Sequence, residues 1–149
     1  WGTAKFAELN DRFRTEFGAE TILVGAPSET SVAQEVIERS NQRPIDLTGK
    51  TGVAEAAAVL SVVDMLVSND MGLAHVAPAV GTKTAVIFGP TNPVTTRPFS
   101  DLAMVIRNNV ECSPCMLRVC PIDHRCMAWI SVDQVLNVCR DMLSAEASE

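Results

Sequence analysis

Short apolar runs alternate with helical patterns along most of this 149-residue chain. The apolar runs predict strands at residues 21–24, 45–47, 65–67, 84–88 and 103–106. The spacing of apolar side chains between them predicts helices at residues 3–17, about 30–40, 54–62, 72–80 and 131–143. Continuously apolar strands separated by helices are typical of parallel sheets covered on both faces. We therefore predict an α/β fold with a doubly wound parallel sheet.

The predicted helices have recognisable ends. Gly18 and Gly81 each follow a helical pattern and predict its termination. Ser28 or Thr30 is expected to cap the second helix, and Ser131 the last. The last helix has an apolar stripe that we expect to be buried, formed by Val132, Val135, Leu136 and Cys139.

Composition narrows the class of protein. Hydrophobic residues make up 47% of the chain and charged residues 20%, which is typical of a globular domain rather than a disordered one. The net charge of −6 disfavours a nucleic-acid partner. No apolar stretch approaches the ~18 residues of a membrane helix, and no signal peptide is visible, so we expect a cytoplasmic chain. Because Trp1 leads directly into a helical pattern, we expect a piece of a longer protein.

Small, polar, glycine-bearing segments follow the predicted strands, at residues 25–29, 49–51, 68–72 and 89–93. In open parallel sheets, ligands bind at the carboxyl ends of the strands. These segments are therefore expected to converge on one cleft. They contain no dinucleotide-binding fingerprint, no phosphate-binding P-loop and no nucleophile elbow, which disfavours a dehydrogenase, an NTPase and a serine hydrolase.

The segment around Gly72 predicts an anion site. A glycine at a helix start exposes backbone N–H groups, and the helix dipole favours a phosphate there without Lys or Arg. Asp70 is either part of that site or only the helix N-cap. His75, one turn into the helix, is either a phosphate donor or a buried core histidine. Glu29 either accepts ribose hydroxyls or faces solvent in the first turn of its helix.

These residues resemble a known family. The run from Asn69 to Ala77, then Gly81-Thr82, then the run from Val86 to Pro93, is similar to the C-terminal half of the ADP-heptose:lipopolysaccharide heptosyltransferases, glycosyltransferase family 9. The turn at residues 47–51 and the cysteine-bearing tail also match. The resemblance implies that residues 1–149 are the Rossmann-like, donor-binding half of a two-domain GT-B fold. The N-terminal acceptor domain, with the catalytic base, would lie outside this chain.

The resemblance also implies roles for individual residues. Glu29 would hold the ribose, and the turn of Gly49, Lys50 and Thr51 would face the adenine. The diphosphate and heptose would be surrounded by Asp70, Met71, Gly72, Leu73 and His75, with Thr91 and Pro93 at the border of the cleft. Transfer would invert the anomeric centre and need no cofactor. The donor would be ADP-heptose, or ADP for binding alone, and the lipopolysaccharide core would be the acceptor through the other domain.

Two departures from the family pattern stand out. Met71 occupies a position where the family has Ser or Thr, so a hydroxyl donor is lost and the donor sugar is open. The family also has a Lys directly before the position of Trp1. This chain contains no catalytic residue under this interpretation, and alone it should bind nucleotide without transferring heptose. The complete enzyme would contact the inner membrane peripherally.

Four of the five cysteines fall in a segment without clear periodicity, at about residues 107–128. Three alternatives are open for Cys112, Cys115, Cys120 and Cys126: four free thiols, two disulfides, or the ligands of a structural zinc with His124 as a substitute ligand. Cys139 is expected in the core.

Two other functions stay open. The chain is alternatively half of a GT-B nucleotide-sugar epimerase, or a non-enzymatic α/β module stabilised by zinc.

Overall fold

The computed structural model describes residues 1–145, which form two compact units. One unit comprises residues 2–56. The other comprises Trp1 together with the chain from Ala57 onward. Each unit is built from parallel strands and helices, so the predicted α/β class is confirmed.

In the unit of residues 2–56, two helices accompany a pair of short strands. The elements are α1 (Thr3–Phe17), β1 (Ile22–Leu23), a 3-10 turn (Pro27–Glu29), α2 (Thr30–Arg39) and β2 (Ile45–Asp46). Strands β1 and β2 pair in parallel, with Ile22 opposite Ile45. Gly18 ends α1 in the left-handed conformation, and its N–H bonds to the Arg14 carbonyl. The predicted C-terminus of α1 is therefore confirmed.

Helix α3 (Val53–Leu60) contains the boundary between the two units. After it come β3 (Met65–Asn69), α4 (Gly72–Ala79), β4 (Lys83–Ile87), α5 (Pro93–Thr96), β5 (Ala103–Ile106), α6 (Arg125–Ala128) and α7 (Val132–Ser144). The three strands form one parallel sheet in the order β3-β4-β5, with Asn69 opposite Ile87.

Strand β4 is the centre of this sheet and of its core. Ala85, Val86 and Ile87 have no exposed surface. Val86 and Phe88 pack with Ala74 of α4, and Val105 of β5 packs against that cluster. A central strand flanked by two parallel neighbours is buried on both faces, which explains its uninterrupted apolar sequence.

Several local predictions require correction. Neither Ser28 nor Thr30 caps α2, because the 3-10 turn precedes the helix and the Thr30 hydroxyl donates back to the Pro27 carbonyl at 2.8 Å. Strand β1 is half-buried rather than buried. In contrast, Ser131 caps α7 as predicted, since its Oγ accepts the Gln134 N–H at 3.1 Å.

The apolar stripe of α7 is confirmed as buried: Val132, Val135, Leu136 and Cys139. Burial raises the pKa of the Cys139 thiol to about 12, so this side chain behaves as an inert core residue. Within residues 1–145, no helix has the length and apolar character needed to cross a membrane.

Candidate functional site

The N-terminus of α4 has backbone N–H groups that no side chain caps. Met71 is the N-cap residue in an extended conformation, and no side chain caps the helix. The first backbone hydrogen bond at this end runs from the Ala74 N–H to the Met71 carbonyl at 3.0 Å. The N–H groups of Gly72 and Leu73 therefore come before the first intrahelical hydrogen bond. A Cβ added to Gly72 would meet nothing within 4 Å. This geometry is suited to an anion that approaches the backbone closely.

Asp70 is not the helix cap. Its Oδ2 accepts a hydrogen bond from Thr96 Oγ1 of α5 at 3.2 Å, and its backbone N–H donates to the Ile87 carbonyl at 3.2 Å. The half-buried Asp70 carboxylate is thus held at the carboxyl end of β3 by the segment that follows β4. Thr96 was not among the predicted site residues, and no local motif marks it, because its contact spans 26 positions.

His75 is exposed on the first turns of α4, so the alternative of a buried core histidine is wrong. Leu73 and Met71 are half-buried beside it in the chain. The imidazole is therefore accessible from solvent.

The loop after β4 lies next to the start of α4, because β3 and β4 are paired neighbours. Gly89 is buried, and a Cβ there would come 2.6 Å from Met127 Cγ. Thr91 has a buried Oγ1 without a hydrogen-bond partner among residues 1–145. Pro93 is buried at the first position of α5, where Asn92 Oδ1 accepts the Val94 N–H at 3.0 Å. The carboxyl ends of the paired strands β3 and β4 are thus followed by five of the predicted site residues: Asp70, Gly72, His75, Thr91 and Pro93.

In the other unit, Glu29 lies after β1. Its Oε2 accepts the Ala26 N–H at 2.7 Å, and the side chain is half-buried, so it is not a freely solvated first-turn residue. A Cβ at Gly25 would come 2.9 Å from the same Oε2. The glycine therefore leaves room for the carboxylate to fold back onto the turn.

The turn after β2 contains the three residues expected to face a base. Gly49 has a φ of 72°, and a Cβ there would come 3.2 Å from Pro27 Cα. Lys50 is exposed, with Nζ 2.6 Å from the Asp46 carbonyl. Thr51 has a buried Oγ1 that finds no acceptor or donor in the described part of the chain. Glu29 and this turn follow the carboxyl ends of the paired strands β1 and β2.

The cysteine segment, residues 107–128, packs on the loop after β4. Ser113 Oγ donates to the Gly89 carbonyl at 2.6 Å, and the N–H groups of Cys115 and Met116 donate to the Pro90 carbonyl at 3.0 and 2.8 Å. Sequence reasoning did not connect this segment with the Thr91 loop, because the segment lacks periodicity and the contacts are non-local.

The four cysteines of this segment are free thiols that line one cavity together with His124. Cys112 and Cys115 are exposed, Cys120 is half-buried and Cys126 is buried. Burial, and to a smaller extent the neighbouring Cys112, raises the pKa of Cys126. As these side chains stand in residues 1–145, no three Cys, His, Asp or Glu side chains form a preassembled metal site.

Parallel strands, followed by glycine-bearing loops of which one leads into a helix without a side-chain cap, define an α/β protein. A sequence model of glycosyltransferase family 9 (heptosyltransferase) matches residues 1–125, and the chain belongs to this family. It is 26% identical over 149 residues to lipooligosaccharide heptosyltransferase 2 of Campylobacter jejuni, covering 96% of this chain and 46% of that protein.

Solved structures agree with this assignment. The structure of E. coli ADP-heptose lps heptosyltransferase II has a TM-score of 0.84 and 26% identity, covering 99% of this chain and 43% of that one. E. coli heptosyltransferase WaaC with ADP has a TM-score of 0.71 and 21% identity, covering 95% of this chain and 39% of that one. The fold is therefore that of part of a GT-B heptosyltransferase. The chain spans less than half the length of these relatives.

Proposed function

We propose that this chain is the donor-binding half of an inverting glycosyltransferase that moves heptose from ADP-heptose to the lipopolysaccharide inner core. The observation that carries the proposal is the start of α4 at Gly72. Backbone N–H groups there come before the first intrahelical hydrogen bond, and a Cβ added to Gly72 would meet nothing within 4 Å. Family membership supplies the reaction class. A relative of the same fold, with 21% identity, has been solved with ADP.

The diphosphate would bind at the start of α4. The N–H groups of Met71, Gly72 and Leu73 are neutral donors aligned with the helix dipole, and the exposed His75 adds a side-chain donor. Departure of ADP builds negative charge on the β-phosphate, and donors fixed beforehand stabilise that charge without reorganisation. This mode of stabilisation is compatible with an acidic chain and uses no metal ion at the phosphates.

The sugar would be recognised by Asp70. A carboxylate repels phosphate but accepts hydrogen bonds from sugar hydroxyls. The Thr96 hydroxyl is shared between Asp70 Oδ2 at 3.2 Å and the Asn92 carbonyl at 2.9 Å, so Asp70 keeps acceptor capacity for a sugar. Met71 cannot supply the hydroxyl that the family pattern has at this position, so the backbone N–H carries the contact there. Thr91 and Pro93 would border the cleft, and Thr91 has a hydroxyl that still lacks a partner.

The nucleoside would bind in the unit of residues 2–56. Glu29 uses Oε2 to hold the Ala26 N–H, and within residues 1–145 no donor reaches its other oxygen, which is left to accept a ribose hydroxyl. The turn of Gly49, Lys50 and Thr51 would face the adenine. The buried, unpartnered Thr51 hydroxyl supports a polar contact there.

The acceptor and the catalytic base would belong to the part of the enzyme outside this chain. The Trp1 backbone nitrogen lies 3.0 Å from Asn69 Oδ1, directly before Asp70. A lysine preceding Trp1, as the family pattern has, would therefore enter beside the proposed diphosphate site. In this proposal the chain binds the donor, and attack on the anomeric carbon requires the other half.

Calorimetry with ADP tests the proposal. The chain should bind ADP, and Gly72→Ala should weaken binding by about tenfold or more, ~1.4 kcal/mol, because the methyl group occupies the space of the phosphate. Ala79→Leu, at the exposed far end of the same helix, is the matched control and should leave affinity unchanged. Absence of ADP binding at millimolar concentration by a folded chain, or equal affinity of both variants, would refute the site.

A further inference from the structure

Asn69 is the last residue of β3 and lies two residues before the first backbone donor of the proposed diphosphate site. Its Oδ1 accepts a hydrogen bond from the Trp1 backbone nitrogen at 3.0 Å. Trp1 is itself held in place, because its indole Nε1 donates to the Ile130 carbonyl at 2.9 Å and its backbone nitrogen lies 3.6 Å from Met127 Sδ. The acceptor of the Asn69 amide is therefore committed to a contact within the protein.

This contact fixes which way the Asn69 amide faces. The Trp1 nitrogen is a donor and not an acceptor, so the amide oxygen must face it and the Nδ2 group must face away from it. The side chain is half-buried, and Nδ2 is accessible from solvent and has no hydrogen-bond partner within residues 1–145. Two oriented N–H donors are therefore left for a ligand.

Strand pairing puts Asn69 on the face of the sheet opposite α4. Asn69 is in register with Ile87, whereas the neighbouring β4 residues Val86 and Phe88 pack with Ala74 of α4. Successive side chains of a strand alternate between its two faces, so Asn69 shares the face of Ile87. A ligand at the carboxyl end of β3 is thus approached from one face by the backbone N–H groups of α4 and from the other by the Asn69 amide.

We propose that the Asn69 amide donates a hydrogen bond to a phosphate oxygen of the donor, an inference that rests on the proposed function. A phosphate oxygen is an acceptor, and an amide whose oxygen is already bonded offers N–H groups alone, so the two are complementary. A sugar hydroxyl also needs an acceptor, which the neighbouring Asp70 carboxylate supplies. Like the helix start, the amide is a neutral donor that is oriented before the ligand arrives.

Two substitutions separate this role from support of Trp1. Asn69→Asp keeps an oxygen for the Trp1 nitrogen and replaces the N–H groups with a second carboxylate oxygen, so thermal stability should be retained while ADP affinity falls about tenfold or more. Asn69→Ala removes both functions, so thermal stability should fall. Its ADP affinity should fall less than that of Asn69→Asp, because no added charge repels the phosphates. A purely structural role predicts the reverse order of affinities.

Asn108→Asp is the matched control for the added charge. Asn108 follows β5 at the same edge of the sheet, and its Oδ1 accepts a hydrogen bond from Gln134 Nε2 at 3.1 Å. The substitution adds the same charge two strands away from β3, so it should change ADP affinity by about twofold or less. Calorimetry with ADP measures the affinities, and thermal denaturation measures the stabilities.

The results distinguish this inference from the function on which it rests. If the unaltered chain binds ADP and Gly72→Ala weakens binding, but Asn69→Asp binds ADP as well as Asn108→Asp does, only the inference about Asn69 is wrong. A loss of affinity in Asn69→Asp that is matched by a loss of thermal stability would assign the residue to the support of Trp1 and would also overturn it. Absence of ADP binding by the folded, unaltered chain would overturn the proposed function and this inference together.

Discussion

Thr91 has a buried hydroxyl that the packing of the described residues leaves without a hydrogen bond. A buried hydroxyl without a partner costs about 1–3 kcal/mol, so such a group is retained where something else gives it a contact. We infer that the bound donor supplies it.

Thr91→Val tests this inference with two measurements. The substitution keeps the shape and removes the hydroxyl, so thermal stability of the unliganded chain should stay equal or rise, while ADP-heptose affinity falls by about tenfold. Thr95→Val, which alters an exposed hydroxyl of α5, should leave that affinity unchanged. A drop in stability with unaltered affinity would assign Thr91 a structural role only.

Individual residues also define the limits of sequence reasoning about the site. The glycine at position 72 and the threonine at 91 lie in recognisable motifs, so their neighbourhood could be predicted. The bond from Thr96 to Asp70 could not, because it joins residues that only the pairing of β3 and β4 brings together. The contact of Met127 with Gly89 could not be predicted either, because the cysteine segment between them shows no periodicity from which its path could be inferred.

At the scale of elements, strong periodicity predicted the long helices and the strands closely. Helix α1 ends at Phe17 and β5 spans Ala103–Ile106, as the sequence indicates. Short elements were missed: the 3-10 turn, α5 and α6 have too few residues to show a period. The sequence predicts the wrong cap for α2, because Ser and Thr are common near helix starts. The 3-10 turn that precedes α2 depends instead on Pro27 and on the hydrogen bond from the Ala26 N–H to the Glu29 carboxylate.

Asp11 ties α1 to the loop before β2. Its carboxylate accepts the N–H groups of Asn41 and Gln42 at 2.9 and 2.8 Å. Desolvation raises the pKa of Asp11, but these bonds outweigh it and the pKa is lowered. The stabilisation is therefore complete above the unfolded-state pKa of about 3.9 and is lost as pH falls through the lower folded-state pKa.

Asp11→Ala should thus lower the free energy of unfolding by about 1–2 kcal/mol at neutral pH, with a smaller difference from wild type below about pH 4. Denaturant titrations at several pH values measure this difference. Glu8→Ala, an exposed change on the same helix, serves as the control. A difference that grows on acidification would show that the charged carboxylate does not stabilise the loop.

The contact between Gly89 and Met127 joins β4 to the cysteine segment. Since a Cβ at position 89 would come 2.6 Å from Met127 Cγ, Gly89→Ala should destabilise the chain by about 1–3 kcal/mol. Met127→Ala in the same chain should relieve the clash, so the double variant should be more stable than the sum of the single effects predicts. Additive effects in this double-mutant cycle would contradict the packing.

At the scale of the whole molecule, acidity and phosphate binding are compatible. A net charge of −6 repels an anion at long range. The N–H groups at a helix start attract an anion only at short range, because their effect falls off within the first turn of the helix. The chain therefore needs no basic patch to bind ADP. Backbone donors stabilise a leaving group but remove no proton from an acceptor hydroxyl, and our proposal assigns that proton transfer to the other half of the enzyme.

We therefore expect the 149-residue chain to bind ADP-heptose without transferring heptose to a lipopolysaccharide core acceptor. Mass spectrometry of the acceptor after incubation measures transfer, and a full-length family member run in parallel should modify the same acceptor. The physical reason is that activation of the acceptor requires a base in the proposed second half, and rate enhancement by general base catalysis alone is about 10²–10⁴-fold. Transfer by the chain at a rate near that of the full-length enzyme would place the base within residues 1–149. Donor binding without transfer is the combination that a donor-binding half must show.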